Sequence, residues 1–252
     1  MIYFADKFRF YLLQNRWKKD NADFKKKHPD FPFPPDYLMY ESFQMSYKKY
    51  HDVGKLAAER LFDTFKTYKT PENLKILDWG CGPARVVRHI PEIFGNSCEV
   101  FGTDYNENSI NWNRKNIKNV KFNLNYLKAE LPYTNDFFDF IYGISIFTHL
   151  SEKMHEDWAL ELKRILKPGG ILLLTLQGDE FRKILNPQEK EIYDQGLIVV
   201  RGKVKEGHRT YSAFHPASFV KKLFDGFSIL NHEKSFNNHG NPEQDVWVLQ
   251  KR

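Results

Sequence analysis

The sequence predicts an α/β protein whose sheet carries helices on both faces. From Leu74 onward, strand-like apolar segments alternate with helix-like segments, which is the pattern of a wound parallel sheet. Residues 171–176 are apolar except for Thr175, as suits a central parallel strand. Of the 252 residues, 41% are apolar and 28% are charged, which excludes a mostly disordered chain.

The N-terminal part differs from this pattern. Residues 1–27 are basic and aromatic and predict a helix or a pair of turns. Such a segment either touches an anionic membrane surface or packs on its own chain with a solvated basic face. Residues 29–35 contain four prolines and predict an extended connector. Apolar residues at helical spacing then predict a helix of about 16 residues that ends near Thr67.

The central part of the chain supplies most of the predicted sheet. Strands are predicted at 75–79, 99–103, 120–124, 138–145 and 171–176. Helix faces recur within 86–94, 108–116 and 158–166. The sequence Lys-Pro-Gly-Gly at 167–170 predicts a turn that ends the last of these helices.

The pattern changes after Gln177. The C-terminal elements are predicted as a charged helix at 179–195, a hairpin from 197–204 and 209–214, a helix at 216–224, and strands at 227–233 and 245–251. We therefore predict an N-terminal helical extension over 1–70 and a main domain over 71–252. Residues 179–215 form an insertion on the substrate side of that domain.

Charge, length of apolar runs and cysteine content exclude several classes. The longest largely apolar run, residues 171–176, has six residues, whereas a membrane-spanning helix needs about 20. The start of the chain lacks the features of a secretory signal. Two cysteines make neither a disulfide framework nor a zinc site, which favours free thiols in the cytoplasm. The net charge of +6 comes without a nucleic-acid recognition motif, so we expect no nucleic-acid partner and no metal.

A glycine-rich turn carries the strongest chemical signal. The strand at 75–79 contains Asp78 and runs into Gly80 and Gly82. Glycines let the backbone approach a ligand because no Cβ stands in the way. The dinucleotide pattern G-x-G-x-x-G fails, since Arg85 occupies its third glycine position. Asp104 ends the next strand and is placed to accept hydrogen bonds from ribose hydroxyls.

On these residues the chain resembles the class I S-adenosylmethionine-dependent methyltransferases. The resemblance covers about residues 50–252 and is most specific from Leu131 to Gly170. The segment 145–150, Ser-Ile-Phe-Thr-His-Leu, and the tail 244–249 are similar to a subgroup associated with bacterial glycan and cell-surface polysaccharide synthesis. The resemblance implies a Rossmann-like sheet of seven strands with an antiparallel last strand. It also implies S-adenosylmethionine as the cofactor.

The family's binding roles carry over to matching positions. Asp78 is expected near the methionine amino group, Asp104 at the ribose, and Ser145 near the transferred methyl group. The remaining expected cofactor contacts are Gly80, Cys81 and Gly82 at the methionine and ribose, Tyr105 on the adenine, and Asn125, Tyr126 and Leu127 at the adenine edge. The stretch 125–127 lacks the family's usual acid, and Ala84 replaces its last glycine.

The acceptor is less defined by sequence. An oxygen acceptor of high pKa needs its proton removed, and His149 and His215 are the candidate general bases. Gln177, Arg209 and Tyr211 are candidate substrate-binding residues of the insertion. We expect O-methylation of a hydroxyl on a sugar or glycan intermediate. A small-metabolite methyltransferase and a catalytically inactive cofactor-binding partner subunit are the alternatives, and the oligomeric state is left open.

Overall fold

A computed structural model of the chain describes residues 2–95, 97–234 and 242–252, with side chains from residue 6 onward. The nine strands are β1 (Lys75–Trp79), β2 (Glu99–Asp104), β3 (Lys121–Leu124), β4 (Phe138–Ile144), β5 (Leu166–Leu176), β6 (Val199–Arg201), β7 (Ser212–Phe214), β8 (Phe227–Glu233) and β9 (Asp245–Lys251). Seven of them form one sheet in the order β3-β2-β1-β4-β5-β9-β8. The last strand, β9, is antiparallel to both of its neighbours, which confirms the predicted fold.

Within the described residues, eight α-helices accompany the strands. They are α1 (Ile2–Lys27), α2 (Asp36–Ser42), α3 (Tyr47–Lys66), α4 (Ile90–Phe94), α5 (Glu107–Asn116), α6 (Glu152–Ile165), α7 (Pro187–Asp194) and α8 (Ala217–Leu223). Short 3-10 helices cover Val87–His89, Phe147–His149 and Asp179–Ile184. Side-chain oxygens of Ser46, Asn106, Ser151 and Asn186 accept from backbone N–H groups and begin α3, α5, α6 and α7.

Two predicted helices differ from the structure, and the one predicted over 179–195 is a 3-10 segment, Asp179–Ile184, followed by the separate helix α7. The predicted helix over 86–94 is a 3-10 turn followed by the short α4, because Pro91 donates no backbone hydrogen bond and fits a helix start. Helix α2 was not predicted, since seven residues directly after Pro35 are too few to show a periodic pattern. The turn at 167–170 lies inside the first part of β5, where the pairing with β4 shifts register.

The chain divides into two compact units: residues 1–73 with 81–124, called the first unit, and residues 74–80 with 125–252, called the second unit. In the first unit, Phe10 of α1 packs on Tyr40 and Met45. The ring of Phe33 stacks on that of Tyr47 at 4.6 Å between centroids. The N-terminal helices therefore form a core of their own within this unit.

In the second unit, β5 pairs with β4 on one side and β9 on the other. Leu172 and Leu174 of β5 are fully buried, because strands on both sides and packed side chains on both faces exclude water. The Trp79 ring lies 5.0 Å from that of Phe147 and 4.9 Å from that of Trp158. This aromatic group fixes the segment after β4, which carries the candidate base His149.

Candidate functional site

The glycine turn, defined as residues 78–85, is ordered mainly through its backbone. In the first unit, the Cys81 N–H donates to the Thr103 carbonyl at 2.9 Å and the Gly82 N–H donates to Asp104 Oδ2 at 2.8 Å. Asn113 Nδ2 donates to the Gly82 carbonyl at 2.8 Å. The two residues after Gly80 are thus tied to the end of β2 and to α5.

Asp104 is a buried carboxylate surrounded by backbone donors. It accepts from the N–H groups of Gly82, Tyr105 and Asn106, the last at 2.7 Å. Burial raises the pKa of Asp104, and these three N–H groups oppose that rise by stabilising the charged form. The adjacent Tyr105 is 45% exposed, so part of its side chain is accessible to a planar group. A fixed acceptor beside an open aromatic ring suits a ribose and its base.

In the second unit, the end of β1 presents Asp78 and Gly80. Asp78 is buried and accepts from the Tyr142 hydroxyl at 3.0 Å. Gly80 has a φ of 81°, and a Cβ there would lie 2.1 Å from Ile146 Cδ1. Both the left-handed backbone and the close side chain require glycine at this position.

Ser145, directly after β4, belongs to a network of polar side chains. Its N–H donates to Thr175 Oγ1 at 2.9 Å, and Gln244 Nε2 donates to its hydroxyl at 2.7 Å. The Thr175 hydroxyl donates to Gln244 Oε1 at 2.6 Å, and Thr148 Oγ1 lies 2.9 Å from Ser145 Oγ. Sequence reasoning missed Thr148 and Thr175, although each lies near the carboxyl end of a strand, where ligands bind in such sheets.

Residues 125–127 follow β3, as expected. Asn125 is buried and its amide donates to the Tyr126 carbonyl at 2.8 Å. The Tyr126 ring is 74% exposed. The Leu127 carbonyl accepts from Trp158 Nε1 at 3.2 Å. Their contact with the adenine edge stays a prediction.

His149 has a defined protonation form. Its Nδ1 lies 2.8 Å from the Tyr211 carbonyl oxygen, which can only accept, so Nδ1 carries the proton and Nε2 carries a lone pair. Burial lowers the pKa of His149, which keeps the ring neutral. The Gly207 N–H donates to the His149 carbonyl at 2.9 Å. The predicted insertion thus holds this histidine from two sides.

His215, the other candidate base, lies in different surroundings. It is 2% exposed, and its Nε2 lies 2.8 Å from Nε2 of His155. His155 Nδ1 donates to the Ser151 carbonyl at 2.7 Å, so His155 Nε2 accepts and His215 Nε2 donates. Burial lowers the pKa of His155 to about 4, and burial also lowers the pKa of His215 well below its usual value. Sequence reasoning missed this pair because its members are 60 residues apart.

The three predicted substrate-binding residues lie in the second unit, and two of them, Gln177 and Tyr211, are hydrogen-bonded to these histidines. The Gln177 carbonyl accepts from the His215 N–H at 2.8 Å. Gln177 Oε1 is buried and has no hydrogen-bond partner within the described residues. Tyr211 is buried and bonds His149 through its backbone, and Arg209 is half-buried. Gln177 Oε1 could therefore accept a hydrogen bond from a substrate hydroxyl.

These surroundings fit S-adenosylmethionine. In the first unit, the buried and ordered carboxylate of Asp104 suits the ribose, and the accessible part of the Tyr105 side chain suits the adenine. Over residues 2–95, 97–234 and 242–252, no group of three His, Cys, Asp or Glu side chains could hold a metal ion. No helix in the described part of the chain is both long and apolar enough to cross a bilayer.

Comparison with known proteins agrees with this assignment. Residues 76–170 match a family described as a methyltransferase domain. The chain is 29% identical over 174 residues to a ubiquinone/menaquinone biosynthesis C-methyltransferase, UbiE, of Neisseria meningitidis, covering 66% of this chain and 68% of that protein. A solved S-adenosylmethionine-dependent methyltransferase structure from Methanosarcina mazei aligns with a TM-score of 0.58 at 18% identity, over 75% of this chain and 96% of the other. A structure from Pyrococcus horikoshii aligns with a TM-score of 0.59 at 20% identity, over 82% and 96%.

The fold, the matched domain and these relatives lead to one conclusion. The chain is an S-adenosylmethionine-dependent methyltransferase with the class I fold. It is therefore an enzyme, and the alternative of an inactive partner subunit is not retained.

Proposed function

We propose that the enzyme methylates a hydroxyl of a sugar or glycan intermediate after His149 has removed the hydroxyl proton. S-adenosylmethionine supplies an activated methyl group, so the protein's own tasks are to orient the acceptor, exclude water and take the proton. Asp104, Tyr105 and the backbone of the glycine turn would hold the cofactor. The cytoplasm is the proposed location, supported by Cys81 and Cys98, which are not joined in a disulfide.

The observation that carries the proposal is the protonation form of His149. A neutral ring with its proton on Nδ1 presents the Nε2 lone pair as a base. The Tyr211 carbonyl stabilises the imidazolium that forms when Nε2 takes a proton, because Nδ1–H then donates more strongly. His215 Nδ1 also carries a lone pair with no hydrogen-bond partner within the described residues, but His215 is 2% exposed, whereas His149 is partly exposed. We therefore prefer His149 over His215 as the base.

The polar side chains of the second unit support a hydroxyl-rich acceptor. Ser145, Thr148, Thr175 and Gln244 form one hydrogen-bonded network at strand ends. Gln177 adds a buried acceptor atom that lacks a donor. A sugar hydroxyl supplies such donors, whereas an apolar acceptor would leave the acceptor atom of Gln177 unpaired at a cost of about 1–3 kcal/mol.

C-methylation of a hydroxylated aromatic ring is a second candidate, favoured by the UbiE relatives. Deprotonation of a ring hydroxyl increases the electron density of the neighbouring carbons, so His149 would serve this reaction equally. The two candidates differ in the bond that is formed, oxygen to carbon or carbon to carbon. That difference is measurable directly.

The test uses S-adenosylmethionine labelled with 13C in the methyl group. The enzyme is incubated with separated sugar-nucleotide, glycolipid and quinone fractions of a host extract, and the labelled product is read by 13C NMR. A methyl carbon on oxygen and one on an aromatic carbon resonate in well-separated regions. Label on oxygen in a sugar fraction supports the first candidate, and label on a ring carbon replaces it with the second.

His149→Gln tests the base in either case. We expect kcat to fall about 100-fold, the usual contribution of a general base, with unchanged affinity for the cofactor. In the unmodified enzyme, kcat should fall only below pH 6.5, because the lowered pKa of His149 keeps the ring neutral above that value. His208→Gln, in the hairpin loop, is the control. Full activity of His149→Gln would contradict the assignment.

We also propose that α1 touches an anionic membrane surface. The helix carries eight Lys or Arg residues against three Asp residues, in a chain whose net charge is +6. Phe8, Tyr11 and Leu12 are 60%, 55% and 56% exposed, while the opposite side packs through Phe10. Exposed rings beside basic residues suit a bilayer interface.

Vesicle sedimentation tests this contact. The protein should sediment with phosphatidylglycerol vesicles at low salt and not with phosphatidylcholine vesicles, and added salt should release it. Phe8→Ser with Leu12→Ser should weaken binding without altering the thermal melt, since both side chains are exposed. Equal sedimentation with both lipids, or with neither, would contradict the proposal.

A further inference from the structure

Helix α2 and the residue after it lie directly beside the glycine turn within the first unit. A Cβ on Gly82 would lie 3.3 Å from the Cβ of Ser42. The guanidinium of Arg85 lies 4.4 Å from the centre of the Phe43 ring. The N-terminal segment therefore contributes side chains to the surroundings of the expected cofactor site.

One side chain of α2 carries a charge toward this site. Glu41 Oε2 accepts from Asn106 Nδ2 at 3.1 Å, and its carboxylate also accepts from the Tyr37 hydroxyl. The negative charge of Glu41 contributes to the raised pKa values of Asp104 and Tyr105, so it lies close to both. Two donors hold the Glu41 carboxylate in place beside Asp104.

The hydrogen-bonding capacity of Asp104 makes this neighbour informative. A carboxylate has about four lone-pair positions for accepting hydrogen bonds. The N–H groups of Gly82, Tyr105 and Asn106 occupy three of those of Asp104. One position remains, whereas a ribose brings two hydroxyl donors. The second hydroxyl needs another acceptor on the same side of the site.

We propose that Glu41 is a cofactor-binding residue that accepts the second ribose hydroxyl, beside Asp104. The N-terminal helical segment then completes the ribose subsite. Tyr37 and Asn106 act as positioning residues, because they bond Glu41 and leave its remaining lone pairs for the ligand. The inference depends on the assignment of Asp104 to the ribose.

The experiment compares S-adenosylhomocysteine with its 2′-deoxy and 3′-deoxy analogues by calorimetric titration. In the unmodified enzyme, each missing hydroxyl should weaken binding about tenfold. In Glu41→Ala, S-adenosylhomocysteine itself should bind about tenfold more weakly, and one of the two deoxy analogues should lose nothing more. If the losses of affinity from Glu41→Ala and from the missing hydroxyl are not additive in this way, the Glu41 carboxylate and that hydroxyl are in direct contact.

Control variants separate the possible outcomes. Glu107→Ala removes an exposed acid near Asp104 and should leave all three affinities unchanged. Glu41→Gln keeps the shape of the side chain, and its thermal melt without ligand shows that the fold persists. Unchanged binding by Asp104→Ala would reject the ribose assignment itself. Weaker binding by Asp104→Ala but not by Glu41→Ala, or two undiminished deoxy penalties in Glu41→Ala, would overturn the role of Glu41 alone.

Discussion

The glycine turn and the insertion at 179–215 are each stabilised by a different kind of contact. In the turn, backbone groups of Cys81 and Gly82 bond partners no more than 31 residues away, and glycine is needed where a Cβ would collide. In the insertion, His149 bonds Tyr211 across 62 residues and His155 bonds His215 across 60. A site built on backbone geometry leaves a short sequence motif, whereas a site built on distant side chains leaves none.

Gly80→Ala is expected to have the largest effect on stability. Alanine at a φ of 81° costs about 1–2 kcal/mol, and overlap of its Cβ with Ile146 adds about 1–3 kcal/mol. We expect the free energy of unfolding to fall by about 3 kcal/mol in urea titration.

Two further variants separate these causes. Gly95→Ala has a φ of 93° but nothing within 4 Å of the new Cβ, so it should cost only the backbone term of about 1 kcal/mol. Adding Ile146→Ala to Gly80→Ala should remove the overlap term. Equal losses for Gly80→Ala and Gly95→Ala would show that the turn is set by backbone conformation alone.

Much of the fold was predictable because its elements are signalled locally. The apolar run 171–176 gave the central part of β5, and β8 and β9 were predicted with the bounds that the structure has. Helix α2 was not predicted, because Pro35 ends a proline-rich segment and only seven helical residues follow it. Strands β6 and β7 are shorter than predicted, since their pairing ends at Arg201 and Ser212.

Acid should destabilise the second unit through His155 and His215. Both are buried and neutral when folded, with the pKa of His155 at about 4, while an unfolded histidine titrates near 6.5. Below pH 6.5 the unfolded chain therefore binds more protons, and stability is lost as the pH falls. We expect the free energy of unfolding to fall by about 2 kcal/mol between pH 6 and pH 5.

The double variant His155→Gln with His215→Gln should flatten this dependence. His89 in the first unit, whose pKa burial lowers to about 4, would retain part of the slope. Urea titrations at pH 7, 6 and 5 measure both. If the free energy of unfolding of the double variant depends on pH as strongly as that of the unmodified protein, the acid sensitivity originates elsewhere than in His155 and His215.

The candidate site was only partly predictable for the same reason. Asp78, Gly80, Gly82 and Asp104 belong to a motif with fixed spacing, and the structure brings Gly82 and Asp104 into contact. Glu41 has no such signal, since it reaches Asn106 from 65 residues away through an unpredicted helix. Contacts between side chains that are distant in the sequence become visible only in the three-dimensional structure.

Ala84→Gly is expected to change the free energy of unfolding least of these variants, and the small size of that change is informative. Ala84 is fully buried with a φ of 61°, a conformation that costs a residue with a Cβ about 1–2 kcal/mol. Glycine removes that strain but loses about 0.8 kcal/mol of methyl burial and about 0.5–1 kcal/mol of chain entropy. These opposing changes leave the free energy of unfolding within about 0.5 kcal/mol of the starting value.

Ala213→Gly in β7 provides the matched control from the insertion. Ala213 is also fully buried but has no positive φ, so glycine there relieves no strain and should cost about 1.3–1.8 kcal/mol. Thermal and urea unfolding of the two variants give the comparison. Equal losses would mean that the backbone of the turn is no more strained than a strand of the insertion. A loss at Ala213 alone would locate the left-handed strain at Ala84, where the family resemblance places a glycine.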